Sequence, residues 1–283
     1  MLGNIRSTPM KPIFLITTLI AAGAAGLSHA ALYEAEPFGY PTGTGLDGLN
    51  GGTGWSSGWV DPDQDVTLGS GSLPYPASSG IPSSGNRISL TAATVDATAY
   101  RPLGTSMSLN TSGQVYYSSA LFNVSAAAGE SSLVSFTDTT TGTGNVRWQY
   151  GIDPAGKFYV TINAVNNSAT SATTLVPGTT YLLVSMLRTN TGTSGADEYF
   201  LKIFAAGDTV AEPVDDAGWD LSGSDFSGVN LQSVRLNMTN AAGQTNQLDE
   251  LLVGNTFADV VPEPSSSAML MLPALCMLAR RRR

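Results

Sequence analysis

The chain reads as all-β, a two-sheet antiparallel sandwich, and three observations predict it. Short runs rich in β-branched and aromatic residues recur at close spacing between turn residues. One neighbouring pair of runs is joined by Asp153-Pro154-Ala155-Gly156, a hairpin turn with proline after aspartate at its first central place. Between the two ends of the chain, only 126–130 suits a helical turn.

In order, 32–40 passes into a glycine-rich stretch over 43–59 that reads as a loop with aromatic pegs, Trp55 and Trp59. From 61 to 86 proline, glycine and serine dominate, an irregular connection around at most one short strand near 66–68. The predicted strands follow at 87–90, 98–102, 114–124, 132–138, 146–152, 157–164, 180–188, 198–205, 231–237 and 247–253. The run 157–163 alternates apolar and polar residues over much of its length, the period of a half-buried strand.

The two ends have a different composition. Arg6 and Lys11 precede an apolar run, 13–27, that closes on Ser28-His29-Ala30. This is the pattern of a secretory signal peptide over 1–30, cut between Ala30 and Ala31 and delivered through the Sec translocon. At the other end, Val261-Pro262-Glu263-Pro264 leads through serines and an apolar run to Arg280, Arg281, Arg282 and Arg283. The apolar part, 265–279, would rise about 22 Å as a helix, less than a bilayer's hydrocarbon core of about 30 Å, and the arginines act as a stop on the cytoplasmic side.

With both ends set aside, one domain of 31–260 remains, long enough for a full hydrophobic core. Six of the thirteen Lys and Arg lie in the ends, so 31–261 holds seven against twenty-one Asp and Glu, a formal charge of −14. That balance repels a phosphate backbone and excludes nucleic acid as a partner. The single histidine, His29, and the single cysteine, Cys276, both lie in the ends. The remaining domain therefore has no disulfide, no His or Cys zinc site and no Ser-His-Asp or Cys-His catalysis.

Candidate chemistry is sparse, and no catalytic residue is assigned. Asp61, Asp63 and Asp65 alternate as in the first half of a calcium loop, but Val66 stands where its turn glycine belongs and Ser72 where its bidentate glutamate belongs. They read as a generic Ca²⁺ site or as a solvated acidic turn, as do Glu212, Asp215, Asp216 and Asp220. Glycoside hydrolysis needs two convergent carboxyl groups. Asp249-Glu250 and Asp197-Glu198 are adjacent in sequence, so alternation sends each pair to opposite faces of a strand. Trp55 and Trp59 are the candidate sugar platforms, against the tendency of tryptophan to fill a sandwich core. The asparagines of the Asn-x-Ser/Thr strings at 110, 123, 166 and 237 read as chance in a Ser/Thr/Asn-rich chain.

The tail resembles the PEP-CTERM sorting signal of bacterial envelope proteins: Pro262-Glu263-Pro264, the apolar run and the arginine cluster stand in that family's order over 261–283. Pro273, inside the apolar run, departs from a regular helix at a cost of about 3 kcal/mol. The resemblance implies transient anchoring in the inner membrane until an exosortase cuts near the Pro-Glu-Pro motif, then release to the envelope or matrix. A second resemblance rests on Glu36-Pro37-Phe38-Gly39-Tyr40, Gly51-Gly52-Thr53-Gly54-Trp55-Ser56 and Leu248-Asp249-Glu250-Leu251-Leu252-Val253-Gly254. It is to envelope proteins with a concanavalin A-like, laminin-G-like jelly roll before such a tail. Together they imply a jelly-roll β-sandwich flanked by an N-terminal signal helix and a C-terminal membrane-anchor helix. The function they imply is a structural or adhesive role at the envelope or in exopolysaccharide. The alternative is a lectin-like carbohydrate-binding module, with or without calcium.

Overall fold

The computed structural model describes residues 32–76, 81, 85–90, 96–126, 129, 131–163, 168–189, 195–225, 228–239 and 245–262. The signal segment with Ala30 and Ala31, most of the 126–130 turn, and Glu263, Pro264 and Arg280 to Arg283 of the tail lie outside the described residues. Among the described residues no helix is long and apolar enough to cross a membrane.

Among the described residues, fourteen strands follow in chain order. They are β1 (Leu32–Glu36), β2 (Thr67–Gly69), β3 (Arg87–Leu90), β4 (Asp96–Ser108), β5 (Val115–Val124), β6 (Ser131–Thr137) and β7 (Val146–Ile152). The rest are β8 (Lys157–Ile162), β9 (Ala169–Thr174), β10 (Tyr181–Arg188), β11 (Asp197–Ala205), β12 (Leu221–Asp225), β13 (Asn230–Thr239) and β14 (Asn246–Gly254), and a single helical turn, α1 (Phe257–Val260), ends the series. They form two antiparallel sheets. One has eight strands in the order β12-β11-β10-β5-β14-β3-β2, with β1 also on β14; the other has six in the order β4-β13-β6-β7-β8-β9. The β7–β8 connection is the expected hairpin: Gly156, at φ 70°, donates its amide to Asp153 O at 2.9 Å, and the Asp153 side chain accepts from Ala155 N and Lys157 N.

The two sheets differ in how their outer faces are treated. Strand β10, Tyr-Leu-Leu-Val-Ser-Met-Leu-Arg, is a nearly continuous apolar run because both of its faces are covered. Tyr181, Leu183 and Leu187 enter the core between the sheets, whereas Leu182, Val184 and Met186 enter a second apolar cluster on the outside. Leu73, Tyr75, Trp219, Phe257, Val260 and Val261 complete that outer cluster, so segments around 73, 219 and 257 seal the eight-stranded sheet. Each such Leu, Val or Phe contributes about 1.5–3 kcal/mol by leaving water. The six-stranded sheet alternates instead. Val134 and Phe136 of β6, Trp148 and Tyr150 of β7, and Phe158, Val160 and Ile162 of β8 point into the core. The residues between them point away from it.

Strands β1, β9 and β12 were not legible in sequence, and β4 runs six residues past its expected end. The last two of the three missed strands, Ala-Thr-Ser-Ala-Thr-Thr and Leu-Ser-Gly-Ser-Asp, are sheet edges with one polar side and carry almost no apolar pattern. Strand β1 is masked by two inward-facing glutamates, Glu34 and Glu36. Pro102 does not end β4, because β4 is an edge strand and Pro102 sits opposite Ser233 at a register shift of β13.

Helix α1 begins on a capping box, Thr256 Oγ1 accepting from Asp259 N and the Asp259 carboxylate from Thr256 N. Ser119 Oγ donates to Val260 O at 2.6 Å and pins this turn to β5. Val261 is buried in the outer cluster and Pro262 is half-buried beside it.

Candidate functional site: the open face of the six-stranded sheet

Registers in this sheet bring one cross-strand row together on its outer face: Tyr100 of β4 opposite Arg235 of β13, Arg235 opposite Ser135 of β6, Ser135 opposite Gln149 of β7, and Gln149 opposite Thr161 of β8. At strand spacings of about 4.8 Å the row crosses about 19 Å. The next row runs Thr98, Asn237, Leu133, Gly151, Tyr159 and Thr170. Short residues, Ser135 and Gly151, occupy the middle strands, while Tyr100 and Arg235 stand on one flank and Tyr159 on the other. The centre of the face is therefore lower than its sides.

Hydrogen bonds hold the side chains in place. Gln149 Nε2 donates to Ser135 Oγ at 2.7 Å. Arg235 Nε donates to Asn237 Oδ1 at 2.9 Å and its Nη1 to Gly142 O at 3.1 Å. Burial holds the Arg235 guanidinium below its ordinary pKa, and burial raises the Tyr159 phenol, which stays a protonated donor at neutral pH. A loop over 138–145 walls the β4 side. Gln232 Nε2 donates to Asp138 O, and Thr137 and Ser233 both donate to Thr139 O. Gly142 is required at the loop tip: at φ 66° its Cβ would fall 2.2 Å from Tyr100 Cγ. Beyond it, Asp138 accepts from Arg147 Nη2 at 2.7 Å and from Nε at 2.9 Å. Desolvation alone would raise Asp138, but the bonds from Arg147 and Asn145 outweigh it and hold the carboxyl below its usual range.

The residues expected to bind ligand are placed elsewhere. Trp59 is 1% exposed and donates Nε1 to Glu36 Oε2 at 2.9 Å; Trp55 is half-buried and donates Nε1 to Ala35 O at 3.1 Å. Trp59 therefore offers no ring face to a sugar, and Trp55 offers part of one. Together they flank the guanidinium of Arg101, which pairs with Glu36 in full burial and also donates to Ser57 O, Asn50 Oδ1 and Gly51 O. Phe38 N and Tyr40 Oη also donate to Glu36. The glycine-rich loop is thus clamped around one buried ion pair. Trp148 stacks on Phe136 in the core and Trp219 packs on Phe200 in the outer cluster.

Asp61 is buried, Asp63 exposed and Asp65 half-buried. Asp61 Oδ2 accepts from Val66 N at 3.1 Å, while its Oδ1 meets no partner. Burial, with the charges of Asp65 and Asp47 adding to it, raises its pKa. Among the described residues no three His, Cys, Asp or Glu side chains group to hold a metal ion. The second acidic stretch is tied down: Glu212 accepts from Tyr117 Oη, Asp216 from Arg188, and Asp220 from Lys202, while Asp215 caps the 3-10 turn Asp216–Gly218.

The alternation expected at Asp249-Glu250 fails. Glu250 lies at φ 49° within a register shift of β14, and the added residue rephases the strand so that Leu248, Leu251 and Val253 all face the core. Asp249 ends up buried, accepting from Ser72 Oγ at 2.5 Å and Leu73 N at 2.8 Å. Ser72 also lines a cavity of about 540 Å³ with Leu73, Pro74, Tyr75, Pro76 and Ala206, and its bond to Asp249 fixes that segment to the sheet.

Compared with solved structures, the chain is similar to the globular domain of T. cruzi calreticulin, with a TM-score of 0.52 at 10% identity over 89% of this chain and 100% of that one. The chain has a concanavalin A-like jelly-roll fold. At that identity the likeness to this jelly roll extends to the fold alone. Weaker similarities include an alginate lyase from Aplysia kurodai, with a TM-score of 0.44 at 7% identity over 69% of this chain and 88% of that one. Another is the exoplasmic/lumenal domain of VIP36 in a Ca²⁺/Man3GlcNAc-bound form, with a TM-score of 0.38 at 8% identity over 70% of this chain and 83% of that one. No protein-family model matches the sequence, and no curated protein matches it.

Sequence reasoning passed over Arg235, Gln149, Tyr100 and Tyr159. Alternation marks them as outward residues, but the register that lines them up is a property of the paired strands.

Proposed function

We propose that this is an exported carbohydrate-binding module that lays a glycan chain along the open face of the six-stranded sheet and has no catalytic role. The observation that carries it is the contrast between the two outer faces. One is sealed by a second apolar cluster, and the other carries a five-strand polar row in which Ser135, Gln149 and Thr161 are buried at the floor and half-buried Tyr100, Arg235 and Tyr159 stand above them. Immobilised polysaccharides of several compositions should retain the domain. The double variant Gln149→Ala/Tyr159→Ala should lose about tenfold or more in affinity while unfolding normally, the scale of one or two hydrogen bonds left unmade. Retention by no polysaccharide, with calcium or with chelator, would sink this reading. The second reading, a structural or adhesive envelope component without a glycan ligand, is favoured by the absence of any exposed tryptophan among the four.

Export rests on the apolar run ahead of Ala30 and on the resemblance of the tail to a sorting signal. On that reading, an exosortase in the inner membrane cuts near Pro262-Glu263-Pro264 and frees the domain to the envelope or the exopolysaccharide. Glu263→Ala, or removal of Arg280 to Arg283, should leave uncut precursor in the membrane fraction of the native host. Ordinary release of both variants would refute the sorting step.

A further inference from the structure

We infer that the glycan held on this face is an acidic polysaccharide, with its carboxylates received by Arg235 and Lys157; this rests on the reading of the open face as a glycan site. The first support is the way charge is divided between the sheets. Strands β4, β6, β7, β8, β9 and β13 carry four basic residues, Arg101, Arg147, Lys157 and Arg235, against one acid, Asp96. The strands of the eight-stranded sheet carry three bases, Arg87, Arg188 and Lys202, against seven acids. A domain of formal charge −14 thus has a basic excess on the strands of this sheet, with Asp138 and Asp153 in the loops at its border.

The second support is the state of the bases themselves. Arg101 pairs with Glu36, Arg147 with Asp138, Arg188 with Glu198 and Asp216, and Lys202 with Asp220. Arg87 is spent on the carbonyls of Ser70 and Gly71. Among the described residues, neither Arg235 nor Lys157 has a carboxylate within ion-pair reach, and Arg235 Nη2 and Lys157 Nζ donate to no protein group. In a domain with three times as many acids as bases, two half-buried cations left without counterions on one face mark a place for an anion from outside. Arg235 belongs to the cross-strand row, and Lys157 stands on the same side of β8, four residues from Thr161. Three strand spacings across and four residues along separate them by about 20 Å. Gln149 and Tyr159 lie between, so the two charges suit groups repeated along a polymer and not a single small anion. The acids on the rest of the molecule do not cancel this, since charges beyond a Debye length of about 8–10 Å are largely screened at physiological salt.

The test compares a polyuronate with its carboxyl-reduced, neutral counterpart, using the whole domain and a salt series. Binding to the polyuronate that weakens with salt, with the neutral polymer bound at least tenfold more weakly, is the expected result. Arg235→Gln and Lys157→Gln should each lower polyuronate affinity about tenfold, the scale of one charge-assisted hydrogen bond, and Lys157→Gln should leave any residual binding to the neutral polymer unchanged. Among the described residues the Lys157 ammonium makes no hydrogen bond or ion pair, and its variant keeps the backbone bonds to Asp153, so it reads the interaction free of any folding defect. Equal binding of the acidic and neutral polymers overturns the inference while keeping the glycan site. Equal capture of polyglutamate overturns it as mere charge attraction, and binding to neither polysaccharide overturns both readings.

Discussion

Replacing Glu36 by Gln should remove about 3–5 kcal/mol of stability, because it leaves the Arg101 charge buried with no counterion. Single domains are stable by only about 5–15 kcal/mol, so this one change should consume much of the margin. The loss arises in the glycine-rich loop: Glu36 collects donors from Phe38, Tyr40, Trp59 and Arg101, and Arg101 in turn holds the carbonyls of Ser57 and Gly51. Urea unfolding checks it directly. The double variant Glu36→Gln/Arg101→Met, which removes the charge as well, should regain part of the loss. A single variant as stable as the parent would show that the ion pair does not hold the loop.

The second large effect is on pH dependence, and its sign is unusual for an acidic domain. Burial pushes the Glu34 carboxyl up to about 7, because neither oxygen finds a hydrogen-bond partner and the nearby backbone of Gly104 and Thr105 offsets only part of the cost. Burial likewise pushes Asp249 up to about 6, against the bonds from Ser72, Leu73 and Glu250. An acid whose pKa is raised on folding favours the native state when protonated. Its contribution is complete below the unfolded value, near 4.5 for Glu34 and 3.8 for Asp249, and is lost as pH rises through about 7 and about 6. Between pH 8 and pH 5 the two should add about 4 kcal/mol. Denaturant unfolding at both pH values measures it, and Glu34→Gln should flatten the curve mainly by stabilising the protein at pH 8. Stability that is flat, or that rises toward pH 8, would contradict the burial of these carboxyls.

The same residues show what could be read in advance. Strands such as β7 and β10 announce themselves because burial dictates their apolar pattern, and the Asp153 turn because proline and glycine fix its backbone. Glu34 and Glu36 hid β1 because a charged residue on an inward position is legible only once Arg101, sixty-five residues away in sequence, is seen beside Glu36. Trp59, a candidate sugar platform by sequence, lies in the core, and nothing local says that its indole serves a carboxylate. The row through Arg235 and Gln149 depends on which residue of β13 faces which of β6, a relation between segments about a hundred residues apart. The bulge at Glu250 is a single backbone torsion, yet it decides which side of β14 every later residue takes.

Strand β1 begins where β14 ends, with Leu32 opposite Gly254, so the first and last strands of the body leave it at one shared corner. A molecule gripped by either end would stand on its support in much the same attitude. Its working face would keep a constant aspect toward whatever passes by, and exchanging a front tether for a rear one should not change what it can catch.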